Sequence, residues 1–288
     1  MTVIDIIQRS ADFLERRGVE SPRLQIELIL AQVLHLPRLQ LYLNFERQLE
    51  EPDLGKIREL VQRRGRREPL QHILGTVSFC GFELEVNADV LIPRPETELL
   101  AEKAWLLLQD LRRSPPGAST VLDYGTGSGC LAIAIARHAP DAVVHALDLS
   151  APALETARRN ALRHLPEGRI VFYESDGFGA IPPGLRFDLL VANPPYIPSH
   201  EIEQLQPEVK DHDPRIALDG GPDGLDFYRR LAAEAPSRLT AGGHLWAEFG
   251  EAQSNPLASL FNTPPWRVVE IARDYSGRLR HLHAELAY

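Results

Sequence analysis

The chain has 288 residues, 44% of them hydrophobic and 25% charged, a composition typical of a globular protein with one large domain or two ordinary ones. Its formal net charge of −9 argues against a protein that coats nucleic acid through its overall field, without excluding a local basic patch. The sequence has no signal-peptide core and no apolar run of ~20 residues, and its two cysteines, Cys80 and Cys130, match no metal-ligand spacing. We therefore expect a cytoplasmic protein without a metal site.

Residues 1–74 are predicted to form a small helical domain, because they carry no strand pattern. Thr2 and Asp5 make a capping-box pattern at the start of the first helix, and a third helix is expected over residues 53–64. A basic cluster follows that helix, consisting of Arg63, Arg64, Arg66 and Arg67. It predicts either a solvated helix terminus that complements the helix dipole or a docking patch for an acidic protein surface or RNA.

The pattern changes to short β-prone runs after Gly75. The stretch "TVSFCGFELEV", residues 76–86, contains two such runs about Gly81 and predicts a hairpin, which makes residues 75–92 a connector. The stretch "LIPRPETELL", residues 91–100, predicts a loop broken by prolines and then a helix that begins near Glu96.

Strands and helices alternate from residue 121 onward, after a loop predicted over residues 112–120. Helices are expected to open at Ser150 and near Leu225. The predicted strands are Val121–Tyr124, Val143–Asp148, Ile170–Glu174, Phe187–Ala192 and His244–Phe249. This alternation predicts an α/β fold with a parallel, doubly wound sheet covered by helices on both faces. Two strand-like runs flank residues 274–277 without room for a helix, so we expect them to pair antiparallel.

The stretch "VLDYGTGSGC", residues 121–130, is typical of a strand, a glycine turn and the start of a helix. Its glycines let the backbone approach a ligand closely, and Asp148, which ends the next strand, can accept hydrogen bonds from both hydroxyls of a ribose. Two cofactors fit this pattern. A NAD enzyme would place pyrophosphate at the helix N-terminus, whereas a methyltransferase would place the amino-acid part of S-adenosylmethionine near the loop, where Asp123 can bind a cationic group.

The strand Phe187–Ala192 ends in Asn193-Pro194-Pro195-Tyr196, at the sheet edge where open α/β proteins bind ligands. The side-chain oxygen of Asn193 and a backbone carbonyl freed by the prolines can each accept one N–H bond of a planar NH₂ group, and Tyr196 can pack flat on that group. Holding both N–H bonds turns the nitrogen lone pair toward a methyl donor and stabilises the positive charge that grows on nitrogen. The motif predicts methylation of an amide or aryl amine, without a general base that acts first.

Several segments together resemble the release factor glutamine methyltransferase family (PrmC/HemK). They are "EPLQHILG", "VLIPRPETELL", "DYGTGSGCLAIAIA", "ALDLS", "VANPPYI", "DPRIALDGGPDGLDFYRRL" and "GGHLWAEFG". The resemblance extends from Glu68 to about Gly250, and "IPRPETE" together with "NPPY" is its most specific part. It implies a class I, Rossmann-like methyltransferase domain with seven strands over residues 93–288, preceded by a helical substrate-recognition domain and the β-hairpin connector.

The resemblance also implies an activity and its site. The activity is methyl transfer from S-adenosyl-L-methionine to the side-chain amide of the glutamine in the Gly-Gly-Gln motif of peptide chain release factors, with that glutamine held by Asn193 to Tyr196. The residues implied to contact the cofactor are Asp123, Gly125, Thr126, Gly127, Ser128, Gly129, Asp148 and Asn193, with Asp176 and Gly177 beside adenine and with Pro93, Arg94 and Thr97 at the entrance. Gly177 stands where a bulkier residue often stacks on adenine, so we expect Phe178 to take over that contact.

Other functions stay open at this point. A nucleic-acid amino-methyltransferase would hold a flipped adenine or guanine in the same site, although the negative net charge opposes this hypothesis. A NAD oxidoreductase would use the glycine loop but leaves Asn193 to Tyr196 without a role, and a binding module without turnover would only grip a partner. Glu248 is expected either to support the site or to be purely structural, and residues 218–225 either to cover the site as a mobile loop or to form a plain turn.

Overall fold

The computed structural model describes residues 1–111 and 118–287, so most of the loop predicted over residues 112–120 lies outside the described residues. The chain divides into two compact units. The first consists of Met1–Thr76 together with Gln206–His212, and the second of Val77–Leu205 and Asp213–Tyr288. None of the helices in the described ranges combines the length and the apolar character that crossing a membrane requires.

The elements follow one another in the order that the sequence predicts. The helices are α1 (Val3–Glu15), α2 (Pro22–Val33), α3 (Glu51–Gly65), α4 (Leu70–Leu74), α5 (Pro95–Leu111), α6 (Cys130–His138), α7 (Ala151–His164), α8 (Pro207–Lys210), α9 (Asp226–Glu234) and α10 (Ser254–Phe261). The strands are β1 (Thr76–Phe79), β2 (Phe82–Glu85), β3 (Thr120–Tyr124), β4 (Val143–Asp148), β5 (Ile170–Glu174), β6 (Phe187–Ala192), β7 (Leu239–Glu248), β8 (Trp266–Arg273) and β9 (Leu279–Leu286).

The first unit contains α1 to α4 and α8 around a small apolar core. The capping box is present, since the hydroxyl of Thr2 accepts the N–H of Asp5 at 3.3 Å and the carboxylate of Asp5 accepts the N–H of Thr2 at 3.0 Å. The apolar faces of α1 and α2 meet at fully buried side chains, among them Ile7 and Ile26. The helical character predicted for this part of the chain is therefore confirmed.

The basic cluster forms ion pairs inside the first unit. Arg64 and Arg67 both bind the carboxylate of Glu208 on α8, each at an N–O distance of 2.6 Å, and Arg63 binds Glu68. Burial raises the pKa of Glu208, but the hydrogen bonds from Arg67 and Arg64 outweigh that effect and lower the pKa to about 2. Three of the four arginines are therefore paired within the protein, which differs from the predicted solvated helix terminus and also disfavours the docking patch, because these charges are already engaged.

The second unit contains a sheet of seven strands in the order β5-β4-β3-β6-β7-β9-β8. Strands β3 to β7 run parallel, and β9 lies antiparallel between β7 and β8. One face packs against α5, α6 and α7, and the other against α9 and α10. The predicted α/β class, the doubly wound sheet and the antiparallel tail are confirmed, and β1 and β2 form a separate two-stranded sheet, as the hairpin pattern predicted.

Strand β7 differs from its prediction at both ends. It begins at Leu239 rather than His244 and ends at Glu248 rather than Phe249. Gly242 and Gly243 are poor strand formers, so the sequence pattern placed the start of the strand after them. Pairing with β6 extends across them through an irregularity between Phe187 and Leu189. The parallel pairing places the carboxyl ends of β3, β4, β6 and β7 at one edge of the sheet, where the predicted site residues lie.

Candidate active site

A cavity of about 320 Å³ opens at the carboxyl ends of β3, β4 and β6, within the second unit. Its wall brings together most of the predicted site residues: Pro93, Thr97, Gly125, Thr126, Gly127, Ser128, Asp148, Asp176, Gly177, Asn193, Pro194 and Pro195. Four other predicted residues lie off this wall, namely Arg94, Asp123, Gly129 and Tyr196.

The glycine loop between β3 and α6 leaves room for a ligand against its backbone. Gly125 and Gly127 have φ values of +77° and +54°, in the left-handed region, and no atom lies within 4 Å of where a Cβ would stand on either residue. Gly129 has a different role, because a Cβ there would lie 3.2 Å from the Cβ of Ala157. It allows α6 to pack closely on α7, behind the cavity wall.

Asp148 ends β4 and is held by two backbone donors. Its Oδ2 accepts the N–H of Gly127 at 2.8 Å and its Oδ1 accepts the N–H of Ser150 at 2.9 Å. Burial raises the pKa of Asp148, although these hydrogen bonds act in the opposite direction. Each carboxylate oxygen has a further lone pair, so the residue can accept two hydroxyl donors from a ligand in the cavity.

Asp123 differs from the prediction that it contacts a cationic group of the cofactor. Its side chain is fully buried off the cavity wall, where Oδ2 accepts the hydroxyl of Thr126 at 2.6 Å and the N–H of Ala132 at 3.1 Å. Burial raises its pKa to about 7, while these two hydrogen bonds lower it. The carboxyl group ties the glycine loop to the first turn of α6 from the buried side.

The cavity wall also includes Asp176 and Gly177, as predicted, together with Arg230 of α9. Arg230 pairs with Asp176, and a Cβ on Gly177 would overlap its guanidinium group. Phe178 does not line the cavity, which differs from the expectation that it takes over a contact with adenine. The short turn after Gly177 points its ring into the core, edge-on to Tyr124 at a centroid distance of 5.1 Å.

Several apolar wall residues escaped the sequence analysis: Leu149, Ile216, Ala217 and Phe227. Leu149 is 53% exposed even though it directly follows a strand end and a site carboxylate. An apolar residue directly after a strand-end carboxylate could have indicated, from the sequence alone, a side chain that a ligand covers. The others lie 24 to 35 residues beyond the end of β6, in a short turn and at the start of α9, where no local pattern points back to the cavity.

Asn193 is the first residue after β6 and takes part in a hydrogen-bond chain. Its Nδ2 donates to the hydroxyl of Thr97 at 3.1 Å, and that hydroxyl donates to Oε2 of Glu248 at 2.8 Å. Its Oδ1 is buried and accepts no hydrogen bond from the residues that the structure describes. A buried acceptor without a donor is costly, so its presence on a cavity wall favours a ligand that brings an N–H or O–H group.

Tyr196 does not present its ring to the cavity, which differs from the predicted flat packing on a substrate amide. Its hydroxyl donates to Oε1 of Glu248 at 3.4 Å, and its carbonyl accepts the side-chain amide of Gln253 at 2.8 Å. Burial raises the pKa of Tyr196 above its ordinary value. The residue therefore anchors the Asn193–Tyr196 segment to the end of β7 and the loop that follows.

The glycine-rich loop over residues 218–225 is attached to the segment that follows Tyr196. Ile197 makes two backbone hydrogen bonds with this loop: its N–H donates to the carbonyl of Leu218 at 3.0 Å, and its carbonyl accepts the N–H of Gly220 at 2.9 Å. The side chain of Gln253 also donates to the carbonyl of Gly224 at 3.0 Å. These bonds favour the plain turn over the mobile cover.

Arg94 is engaged near the cavity rather than on its wall. Its guanidinium group binds the carboxylate of Asp213 at 2.7 Å, and the side chain of Asp213 is almost fully buried. Burial raises the pKa of Asp213 to about 6, although Arg94 lowers it. The pair joins the proline-broken loop before α5 to the start of the 213–219 segment, which contributes Ile216 and Ala217 to the wall.

A parallel sheet with an antiparallel tail, a glycine loop, a strand-end carboxylate and an Asn-Pro-Pro-Tyr segment at one edge define a class I S-adenosylmethionine-dependent methyltransferase. Residues 5–75 match the family model of the PrmC N-terminal domain, and residues 101–209 match that of the methyltransferase small domain. The release factor glutamine methyltransferase of Geobacter sulfurreducens is 43% identical to this chain over 96% of the chain and 94% of the relative. That of Chlorobaculum tepidum is 40% identical, with the same two coverages. The chain belongs to the release factor glutamine methyltransferase family.

A solved structure agrees with the fold. The methyltransferase from Pyrococcus furiosus superimposes with a TM-score of 0.54 over 78% of this chain and 98% of that chain. The two sequences are 20% identical, so this likeness concerns the fold and not the substrate.

Proposed function

We propose that this protein transfers a methyl group from S-adenosyl-L-methionine to the side-chain amide nitrogen of the glutamine in the Gly-Gly-Gln motif of peptide chain release factors. The observation that carries the proposal is the buried, unpartnered Oδ1 of Asn193 on the wall of a cavity that also contains the glycine loop and Asp148. The names of the relatives support release factors as the substrate. We assign recognition of the release factor to the helical segment, residues 1–74, most of which lies within residues 5–75 that match the PrmC N-terminal model.

The cavity residues fit the cofactor. The open space over Gly125 and Gly127 suits a group that approaches the backbone closely, and Asp148 keeps acceptor capacity for two ribose hydroxyls. Asp176 and Gly177 suit the adenine end, and Pro93 and Thr97 lie on the wall near Asn193. When bound, S-adenosylmethionine supplies an electrophilic methyl group on a sulfonium.

Asn193 acts by orienting the glutamine amide. An amide nitrogen is a poor nucleophile, because its lone pair is delocalised into the carbonyl. Oδ1 of Asn193 accepts one N–H bond of the amide, and a carbonyl of the proline pair accepts the other, which favours a pyramidal nitrogen with its lone pair directed into the cavity. The same acceptors stabilise the positive charge that develops on the nitrogen, and the proton leaves afterwards to solvent.

Asp148→Ala is expected to weaken cofactor binding about 10- to 100-fold, the equivalent of one to two hydrogen bonds to a charged group. Titration calorimetry with S-adenosylmethionine measures the dissociation constant. Glu174→Ala is the matched control, because Glu174 is the exposed carboxylate that ends the neighbouring strand and pairs with Asp148 in register, off the cavity wall. An unchanged dissociation constant for Asp148→Ala would refute its assignment to the ribose.

The proposed function is tested with a purified release factor and labelled S-adenosylmethionine. We expect label on the wild-type release factor and none on a variant in which the glutamine of the Gly-Gly-Gln motif is replaced by glutamate. A carboxylate has no N–H group to donate to Oδ1 of Asn193. Label that is lost on nuclease treatment and survives protease would instead favour the nucleic-acid amino-methyltransferase. Equal labelling of the two release factor variants would contradict the proposed target.

A further inference from the structure

A buried chain of hydrogen bonds lies behind Asn193, and the proposed chemistry does not use it directly. It runs from Nδ2 of Asn193 to the hydroxyl of Thr97, and from that hydroxyl to Oε2 of Glu248. Tyr196 approaches the other carboxylate oxygen at 3.4 Å. Thr97 and Glu248 are each 1% exposed, so water does not compete for these contacts.

The count of protons along this chain decides which way the amide of Asn193 faces. A hydroxyl has one proton, and an ionised carboxylate only accepts, so the proton of Thr97 lies toward Glu248. The hydroxyl oxygen then has only lone pairs to offer to Asn193, which must present its NH₂ group. An amide turned by 180° would set Oδ1 against those lone pairs and point two N–H donors at the substrate.

We propose that Thr97 and Glu248 are positioning residues that lock the side-chain amide of Asn193 in the orientation that reserves Oδ1 for the substrate's N–H bond. The proposal rests on the proposed function of Asn193. It gives Thr97 a role different from the contact with cofactor that the family resemblance implies. It also explains why a threonine at the start of α5 bonds to a glutamate at the end of β7, 151 residues away, while its hydroxyl also accepts a hydrogen bond from Asn193.

The charges around Glu248 make this lock sensitive to pH. The titratable groups that face it are Glu96 of α5, Tyr196, Tyr228 of α9, and Arg280 and His281 of β9. Burial raises the pKa of Glu248 to about 7, and the hydrogen bond from Thr97 and the charge of Arg280 lower it. A protonated carboxyl can donate to Thr97, which frees the threonine proton to meet Oδ1 and lets the amide turn. We therefore expect kcat to fall as the pH drops below about 7.

The central test is a double-mutant cycle on kcat between Thr97→Val and Asn193→Ala, with Thr97→Ser as the variant that restores the hydroxyl. Thr97→Val keeps the shape and removes the donor and acceptor, and we expect it to lower kcat about tenfold, the equivalent of one hydrogen bond. Thr97→Ser should recover most of that loss. In the Asn193→Ala background, Thr97→Val should have no further effect on kcat, because Thr97 acts only through Asn193.

The outcomes separate this inference from the proposed function. If Asn193→Ala alone leaves kcat unchanged, the role given to Asn193 is wrong. If Asn193→Ala is strongly impaired and Thr97→Val lowers kcat by the same factor in both backgrounds, the proposed function stands and the positioning role is overturned. A valine variant as active as the wild type also overturns it.

The pH profile of kcat tests the part of the inference that concerns Glu248. In Glu248→Gln the group at this position cannot ionise, so its profile, normalised to its own maximum, should lose the fall below pH 7 that the wild type shows. Retention of the same acidic fall in Glu248→Gln would overturn the role of Glu248, as would a wild-type profile that is flat through pH 7.

Discussion

Asn193→Ala is expected to lower kcat by about 10²–10³-fold while the dissociation constant of S-adenosylmethionine changes by less than about twofold, by analogy with the loss of one group from an oxyanion hole. The physical reason is that Oδ1 of Asn193, buried and without a donor among the described residues, is the acceptor that holds the substrate amide. Single-turnover kinetics with a release factor measure the rate, and calorimetry measures cofactor affinity.

Asn255→Ala is the matched control for this substitution. Asn255 is exposed on α10, in the same unit and away from the cavity wall, so its removal should leave both quantities unchanged. If Asn193→Ala instead abolished cofactor binding and left the rate of bound enzyme intact, Asn193 would be a cofactor residue and not the holder of the substrate amide.

Gly224→Ala is expected to lower the free energy of unfolding by about 2–5 kcal/mol and to reduce kcat with it. Gly224 has φ +74°, and a Cβ there would overlap the carbonyl oxygen of Tyr196 and lie 2.5 Å from Nε2 of Gln253. Left-handed backbone costs a non-glycine residue ~1–2 kcal/mol, and overpacking against backbone costs ~1–3 kcal/mol more. The displaced Tyr196 would also shift the segment that begins at Asn193.

Gly168→Ala separates backbone strain from the clash. Gly168 has φ +75° but nothing within 4 Å of its Cβ position, so this variant should lose only the ~1–2 kcal/mol of backbone strain and keep its kcat. Chemical denaturation of both variants gives the comparison. Equal losses of stability in Gly224→Ala and Gly168→Ala would mean that the 218–225 loop accommodates the added methyl group without further destabilisation and does not hold Tyr196 in place.

The sequence predicts the fold where local patterns carry the information. Strand and helix alternation predicts the parallel part of the sheet, and an apolar run that ends in Asn193 predicts a polar side chain at its carboxyl edge. The antiparallel pairing of β8 with β9 follows from the short turn between them, but β9 also pairs with β7, from which α10 and β8 separate it in sequence, and no local pattern encodes that second pairing. The same limit applies to β7, whose first residues become a strand only because β6 lies beside them.

The candidate site shows a similar division. Gly127 and Asp148 follow from a loop motif and a strand end, and both lie on the cavity wall. Asp123 and Phe178 lie in the expected segments, but their side chains point into the core. The sequence pattern does not predict this, because the direction of a single side chain near a turn depends on the residues that pack against it. The contact between Thr97 and Glu248 joins positions 151 residues apart, so only the folded chain reveals it.

The most direct test of the proposed chemistry is tandem mass spectrometry of a purified release factor after incubation with this protein and S-adenosylmethionine. We predict one added methyl group, located on the side-chain nitrogen of the glutamine in the Gly-Gly-Gln motif and formed about 10²–10³-fold more slowly when Asn193→Ala replaces the wild-type enzyme. A methyl group on any other residue of the release factor, or a fully methylated glutamine produced by the Asn193→Ala variant at the wild-type rate, would contradict the assignment of Asn193 as the group that holds the amide.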